Sequence, residues 1–409
     1  MQKLLIRAII STLVVASFAC SSRDIHKKDK FIYDEEKHPI RRDYVYSTRH
    51  ENPDTGEEPV DHGGLTVGGL TPDSLAMKDL LVLATPVGGL EAIYRKTFQR
   101  KWRVEAKNGF GGQPLIDTAT VYVGGNDGIF YAVSIETGKV LWTYETKAPV
   151  WAKPMVFGQK IFFVSSDDIL YCLEANTGKW IWHYKRGVNF STTIHGNSTP
   201  VVDNGKVYAG FSDGYIVGLK ASDGNLVWEQ KIHSGAKFTD VDATAVIDGE
   251  TIYIPSYDGG LYALDKQTGK IQWRVDVGSS RTVLLEDKTL YVASSDGNVY
   301  SLAKDSGRIQ WKFEVDDGVP TGLLIYENFL AFGSSTQFFY VVHKGNGALS
   351  YRYSAGMRSG FITNPVQIGH SLYILSKFGN LYVFEWKAPN KPPVAQKTTV
   401  SLHNISYQK

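Results

Sequence analysis

The chain has 409 residues, of which 43% are hydrophobic, 21% charged and 12% aromatic. This is an ordinary composition for a folded protein, and it excludes wholesale disorder and a collagen-like repeat. Lys and Arg number 44 against 42 Asp and Glu, so the net charge of +2 does not favour nucleic acid as a partner. Two cysteines are too few for a disulfide scaffold or a cysteine-rich metal site.

The first residues are predicted to be a targeting segment. Lys3 and Arg7 precede an apolar run, Ala8–Ala19, that is too short to cross a bilayer as a helix, which needs about 20 residues. A basic start followed by a short apolar run is typical of a secretory signal. Ser17-Phe18-Ala19-Cys20 resembles a bacterial lipobox, so we expect a lipoprotein in which Cys20 carries acyl chains such as palmitate. The alternative is a plain cleaved signal with an incidental Cys20.

Composition divides the chain into four predicted parts. Residues 1–19 form the signal peptide, and residues 20–42, rich in charges of both signs, form a lipidated flexible tether. Residues 43–386 form the folded body, in which repeats are most evident over 80–386. Residues 387–409 form a C-terminal tail.

One block recurs along the folded body. It consists of an apolar strand, a turn often written Asp-Gly, a second strand, a turn that ends in Gly, and an aromatic anchor; the clearest copy is Ile252–Trp273. Asp-Gly and Thr-Gly supply the positive φ that tight hairpins require. The anchors recur about every 40 residues. They are Trp102, Trp142, Trp182, Trp228, Trp273, Trp311 and Tyr351, and a truncated last copy covers Leu372–Trp386.

About 40 residues accommodate four short strands, which is the size of a β-propeller blade. Counting the copies predicts an all-β protein with eight blades, with seven as the alternative if the copy ending at Trp102 is degenerate. Ring closure then needs a strand from upstream, and Asp43–Gly69 is the candidate donor. Six of the nine tryptophans share one register. This favours packing between blades over ligand stacking.

The blocks resemble the PQQ-type propeller repeat, which occurs in quinoprotein dehydrogenases and in non-enzymatic relatives. Within that group, the leader and residues 80–386 are similar to the BamB family, the propeller lipoproteins of the bacterial outer-membrane β-barrel assembly (BAM) machinery. Two segments sharpen the resemblance. Thr239–Val246 (TDVDATAV) is similar to the family's SDVDTTPV, and Thr193–Pro200 (TIHGNSTP) is similar to its SLRGESAP.

This resemblance implies a non-enzymatic scaffold, lipid-anchored to the outer membrane at its periplasmic face. It implies that the two segments bind POTRA domains of BamA, the barrel-inserting subunit, through Ile194, His195, Asp240 and Asp242. His195 stands where the family has Arg and would be a weaker, pH-dependent cation. Thr192 stands where the family has Leu, so part of the apolar contact is missing. The alternative role for Asp240 and Asp242 is capping and turn hydrogen bonding in a loop between blades.

Unfolded outer-membrane proteins are a further expected partner, because exposed blade edges could pair with their strands. The membrane is expected to be met through the lipid anchor only. No catalytic residue, cofactor or metal site is predicted. Cys172 is predicted to be inert packing, since the aligned copies have small residues there. The alternatives are a PQQ-dependent dehydrogenase and a periplasmic propeller that senses a ligand in its central channel.

Overall fold

The structure is a computed structural model, and it describes residues 40–47, 64–67, 79–86, 89–186, 198–232, 240–257, 259–361 and 363–387. The chain divides into two units, Met1–His38 and Pro39–Lys409, and every described residue lies in the second. The predicted signal peptide and Cys20, and nearly all of the predicted tail, lie outside the described residues. Within the part of the chain that is described, no helix has the length and apolarity that a membrane crossing requires.

The described residues form eight four-stranded antiparallel sheets, as the repeat predicted. The first blade contains β2 (Gly64–Val67), β3 (Leu80–Thr85), β4 (Gly89–Tyr94) and β5 (Arg100–Val104). The second contains β6 (Leu115–Asp117), β7 (Thr120–Gly124), β8 (Ile129–Ser134) and β9 (Val140–Glu145). The third contains β10 (Met155–Phe157), β11 (Lys160–Ser165), β12 (Ile169–Glu174) and β13 (Trp180–Lys185). The fourth contains β14 (Val201–Asp203), β15 (Lys206–Gly210), β16 (Tyr215–Lys220) and β17 (Leu226–Lys231).

The remaining blades continue the same order. The fifth contains β18 (Val246–Asp248), β19 (Thr251–Pro255), β20 (Leu261–Asp265) and β21 (Ile271–Val275). The sixth contains β22 (Leu284–Glu286), β23 (Thr289–Ala293), β24 (Asn298–Ala303) and β25 (Ile309–Glu314). The seventh contains β26 (Leu324–Tyr326), β27 (Phe329–Gly333), β28 (Phe338–His343) and β29 (Leu349–Ser354). The eighth contains β30 (Val366–Ile368), β31 (Ser371–Leu375), β32 (Asn380–Trp386) and β1 (Ile40–Ser47).

Each blade runs outward from the centre of the ring. The first strands of neighbouring blades lie against one another, as β10 does against β14, whereas the fourth strands are exposed. Because antiparallel strands alternate in direction, the turn between second and third strands lies on the same face as the segment that joins one blade to the next. We call this the joining face. The core lies between adjacent sheets, whose middle strands are buried on both sides.

The repeated tryptophans pack each of the first six blades against its successor. The indole nitrogen of Trp142 donates to the carbonyl oxygen of Ala175 in the next blade over 3.0 Å, and Trp228 donates to Lys266 over 3.0 Å. The ring also lies against the glycine of the next blade's second turn: a Cβ built on Gly178 would be 2.4 Å from Trp142 Cε3. The predicted packing role of these tryptophans is therefore what the structure shows.

The position of Cys172 in the repeat lies directly opposite the tryptophan of the same blade. Cys172 pairs across the sheet with Trp182, as Gly218 does with Trp228. A Cβ on Gly218 would be 2.8 Å from the Trp228 ring, so the indole sets the size limit at this position. Burial raises the pKa of the Cys172 thiol to about 12, which keeps it protonated and unreactive at neutral pH.

The ring is closed by the N-terminal strand. β1 pairs antiparallel with β32, from Ile40 opposite Trp386 to Ser47 opposite Asn380. The donor strand thus begins before the predicted candidate region Asp43–Gly69, because Ile40 is itself a buried core residue. The later part of that region supplies β2, the innermost strand of the first blade. Eight blades are formed, and the alternative of seven is excluded.

Candidate partner-binding site

The segment that joins the fourth blade to the fifth is held firmly on the joining face. The backbone nitrogen of Val241 donates to the carbonyl oxygen of Phe211 in the fourth blade over 3.2 Å. The backbone nitrogen of Tyr257 in the fifth blade donates to the carbonyl oxygen of Asp240 over 3.1 Å. Val241 is fully buried. Asp240 and Asp242 therefore flank a residue that is fixed between two blades.

A glycine makes this close approach possible. A Cβ built on Gly210, at the end of β15, would be 2.4 Å from the carbonyl oxygen of Val241 and 2.5 Å from its Cγ1. Any larger residue would push the joining segment away from the fourth blade. The same arrangement occurs in the second blade, where a Cβ on Gly124 would be 2.2 Å from the carbonyl oxygen of Val150.

The two predicted partner-binding segments contact one another. Ser198, at the end of the segment before β14, donates its hydroxyl to the carbonyl oxygen of Ala243 over 3.0 Å. Ser198 is buried, so this bond is shielded from water. The predicted contact residues Ile194 and His195 lie outside the described residues. The part of the first segment that is described is thus tied to the segment that carries Asp240 and Asp242.

The two predicted carboxylates have different surroundings. Asp240 has 0% of its surface exposed, whereas Asp242 is half-buried. The Oδ1 atom of Asp242 is buried and accepts no hydrogen bond from any described residue. Burial, and then the charges of Asp240 and Asp168, raise the pKa of Asp242 to about 8, against the opposing effect of Arg281. The carboxyl is therefore largely protonated at neutral pH.

Asp168 belongs to the same group of side chains, although it comes from the third blade. It lies in the turn between β11 and β12 with a φ of 60°, where the second blade has Gly128 with a φ of 76°. Its Oδ1 accepts a hydrogen bond from the backbone nitrogen of Ser212 over 3.2 Å, and its Oδ2 accepts one from the Ser212 hydroxyl. Burial raises the pKa of Asp168, and the charges of Asp213 and Asp240 act in the same direction.

A separate arginine joins the third blade to the fourth. Arg186, which directly follows β13, forms ion pairs with Asp213 and Glu229 and lies over the Tyr215 ring at 4.0 Å. Its side chain is only 11% exposed. Arg281, before β22, is the cation whose charge lowers the pKa of Asp242, and burial lowers the pKa of its own guanidinium.

The geometry brings together groups that sequence reasoning did not connect. Asp240 and Asp242 were predicted, whereas Asp168, Arg186 and Arg281 were not. One signal was present, because Asp168 replaces the glycine that other blades have in the first turn. A non-glycine residue with a positive φ is uncommon, but eight other described residues share this feature, so it does not single out Asp168. Among the described residues, no three His, Cys, Asp or Glu side chains are placed to hold a metal ion.

The fold defines the class of protein: an eight-bladed β-propeller built from PQQ-like repeats. The chain belongs to the family described as "Outer membrane protein assembly factor BamB", whose sequence profile matches residues 87–313.

Individual relatives support membership of this family. BamB of Yersinia pestis is 26% identical over 210 residues, which cover 47% of this chain and 50% of the relative. The chain thus spans about half the length of the curated relatives it matches. The crystal structure of BamB from Moraxella catarrhalis has a TM-score of 0.69 at 21% identity, and the match covers 85% of this chain and all of that one. The quinohemoprotein alcohol dehydrogenase of Comamonas testosteroni shares the fold at 13% identity and a TM-score of 0.64, over 88% of this chain and 79% of that one.

Proposed function

We propose that the protein is a non-enzymatic scaffold of the outer-membrane protein assembly machinery and binds POTRA domains of a BamA-like partner through its joining face. The observation that carries this proposal is the hydrogen bond from Ser198 to Ala243. It unites the two segments whose sequences are similar to the family's partner-binding stretches. Two contiguous segments on a rigid ring form one surface, as a stable protein interface requires.

The two carboxylates have separate roles in this proposal. Asp242 is half-buried and has an unsatisfied oxygen, so it contacts the partner. Asp240 is fully buried and instead helps to hold the segment between the fourth and fifth blades, where its carbonyl oxygen accepts the hydrogen bond from the Tyr257 nitrogen. This refines the expectation that both side chains touch the partner. Ile194 and His195 remain predicted contacts.

We further propose that the mature protein is anchored to the periplasmic face of the outer membrane through acyl chains on Cys20. Guiding unfolded outer-membrane proteins is an additional proposed role. The outer strands support it, because they are sheet edges that expose apolar side chains. Leu141, Trp180 and Ile309 are 54%, 49% and 47% exposed.

The fold is shared with quinoprotein dehydrogenases, so a redox enzyme is the alternative function. Those enzymes need calcium ligands, and many have a pair of adjacent cysteines. Cys172 is buried with a raised pKa, and the described residues bring no three candidate metal ligands together. These residues do not favour redox catalysis.

Isothermal calorimetry between the mature chain and a soluble POTRA fragment from the same bacterium tests the proposed interface. We expect saturable binding that Asp242→Ala weakens at least about tenfold, a loss of about 1.4 kcal/mol. The control is Asp305→Ala, which removes an exposed carboxylate from the turn between β24 and β25, on the opposite face. Equal affinities of both variants and the wild type would exclude Asp242 from the interface.

A further inference from the structure

One position of the repeat carries a charged residue in the third blade alone among the second to seventh blades. This residue is Arg186, which follows β13 and lies four residues after the anchor Trp182. At the same distance from their anchors, the other blades from the second to the seventh have small or apolar residues, namely Thr146, Ile232, Val277, Val315 and Ala355. The first four of these are buried. Arg186 is therefore not explained by the repeat.

The fourth blade has a matching exception in its third strand, where Val217 is buried. Five other blades carry a tyrosine at this register, opposite the residue that follows the anchor: Tyr131, Tyr171, Tyr262, Tyr300 and Tyr340. In the second and sixth blades its hydroxyl donates to the aspartate of the first turn, Asp127 over 2.6 Å and Asp296 over 2.7 Å. Val217 has no donor, and the corresponding Asp213 is bound by Arg186 instead.

Arg186 reaches from the third blade to three side chains of the fourth. Its Nε donates to Oδ2 of Asp213, and its Nη1 donates to Oε2 of Glu229. The guanidinium also lies over the Tyr215 ring, 4.0 Å from the ring centre. A planar guanidinium can hold two carboxylates and an aromatic face in one fixed geometry. These contacts therefore fix the chain at the point where it leaves the third blade.

The turn that receives Arg186 also holds the second partner-binding segment. This fourth-blade turn is Phe211–Gly214, between β15 and β16. The backbone nitrogen of Ile232, where the chain leaves the fourth blade, donates to the carbonyl oxygen of Gly214 over 2.9 Å. Val241, within the second segment, donates to the carbonyl oxygen of Phe211 over 3.2 Å. The chain that leads into each of the two segments is thus attached to one turn.

We propose that Arg186 is a positioning residue of the partner-binding surface and sets where the first segment begins relative to the second. This inference rests on the proposed function, because the two segments are the surface assigned there. Arg186 lies seven residues before Thr193, so it acts on the segment through the chain rather than by touching the partner. A buried ion pair adds little net stability over well-packed uncharged groups, whereas it can select one geometry. The hydrogen bond between tyrosine and aspartate in other blades would stabilise the turn as well, but it would leave the chain after β13 unattached.

Calorimetry of the full mature chain with the soluble POTRA fragment, combined with urea unfolding, tests this role. A double variant, Arg186→Thr with Val217→Tyr, introduces the residues that the second blade has at these positions, Thr146 and Tyr131. Asp213 then accepts from the new tyrosine, so we expect the urea midpoint of the wild type. We expect binding to be at least about tenfold weaker, because the chain after β13 is no longer attached to the fourth-blade turn.

A second variant and a matched control separate position from stability. Arg186→Lys keeps a cation beside the buried Asp213, but one ammonium cannot pair with both carboxylates and lie flat on Tyr215, so we expect binding at least about threefold weaker. The control is Arg352→Thr in the seventh blade, which removes the ion pair of Arg352 with Asp316, 2.6 Å long, away from both segments. It is expected to lower the urea midpoint and to keep the wild-type affinity.

The outcomes separate this inference from the proposed function. Weaker binding at an unchanged urea midpoint supports the positioning role. Wild-type affinity in either folded variant overturns it, and so does an equal loss of affinity in Arg352→Thr. If the double variant does not fold, Arg186→Lys decides alone, and failure of Arg186→Lys to fold assigns the ion pair to stability and also overturns the inference. Absence of binding by the wild type overturns the proposed function itself.

Discussion

Glycines and tryptophans that face each other across blade boundaries hold the ring together. The second-turn glycines have φ values near 70°, and their α-carbons lie against an indole, as Gly178 does against Trp142. Two constraints therefore act on one residue, one from the backbone and one from the neighbouring blade. The motif Thr-Gly followed by a tryptophan reads in sequence as a hairpin signal, although its packing partner lies about 35 residues earlier in the chain.

Two glycines of the third blade separate these constraints. Gly178→Ala is expected to lower stability both through its φ of 70° and through the 2.4 Å approach to Trp142. Gly158 has a φ of 61°, and a Cβ built on it would have no atom within 4 Å. Gly158→Ala therefore reports the backbone cost alone. We expect about 1 kcal/mol for Gly158→Ala and about 1–3 kcal/mol more for Gly178→Ala, measured by urea unfolding. Equal losses would contradict the packing role of the indole.

The raised pKa of Asp242 makes stability depend on pH. Between its ordinary value of 3.8 and about 8, the folded protein binds more protons at this residue than the unfolded chain does. This contribution to stability is therefore present at low pH and is lost as the pH rises towards 8. We expect unfolding midpoints in urea to fall less between pH 5 and 8 in Asp242→Asn than in the wild type. If the urea midpoints of the two proteins change with pH in parallel, the pKa of Asp242 is not raised in the folded protein.

At the scale of elements, the segment that joins two blades is placed by the strand beneath it. Gly210 ends β15 and permits the contact with Val241, and Val241 in turn positions the carboxylates on either side. Sequence comparison identified this segment through TDVDATAV, but nothing in that string indicates that it depends on a glycine some 30 residues earlier. The dependence arises only when the fourth and fifth blades are packed together.

A pair of matched substitutions tests this dependence. Gly210→Ala is expected to displace Val241 and to weaken capture of the POTRA fragment by at least about tenfold. Gly124→Ala creates the same clash with Val150 in the second blade, away from the carboxylates, and is expected to destabilise to a similar extent. If Gly124→Ala weakens capture as much as Gly210→Ala does, the effect is loss of folding rather than displacement of the site.

At the scale of the whole molecule, the N-terminal strand closes the ring and removes the open edge of β32. A chain that begins at Pro39 retains β1, whereas one that begins at Thr48 lacks it. We expect the first to remain a monomer with an unchanged melting temperature. The second is expected to melt at least about 5 °C lower and to self-associate through the exposed edge, as seen by size-exclusion chromatography. Identical behaviour of both chains would show that closure does not depend on this strand.

The number of blades was predictable because the repeat is local: each complete copy contains its own strands, turns and anchor. The closing strand was predictable only approximately, since its partner β32 lies more than 300 residues away and Ile40 stands beside a charged stretch that predicts a tether. At the site, Asp240 and Asp242 were identified by resemblance, whereas their burial and the proximity of Asp168 depend on how three blades pack. Such long-range contacts leave no periodic signal in the chain.

The most direct test of the proposed interface is site-specific photo-crosslinking in the living bacterium. A photoreactive residue at Thr244, beside Asp242 on the joining face, is compared with one at Asp305, which is exposed on the opposite face. The proposed interface predicts a crosslink from Thr244 to the BamA-like protein, lost on further substitution of Asp242, and none from Asp305. A crosslink to that protein from Asp305 alone, or none from either position, would contradict it.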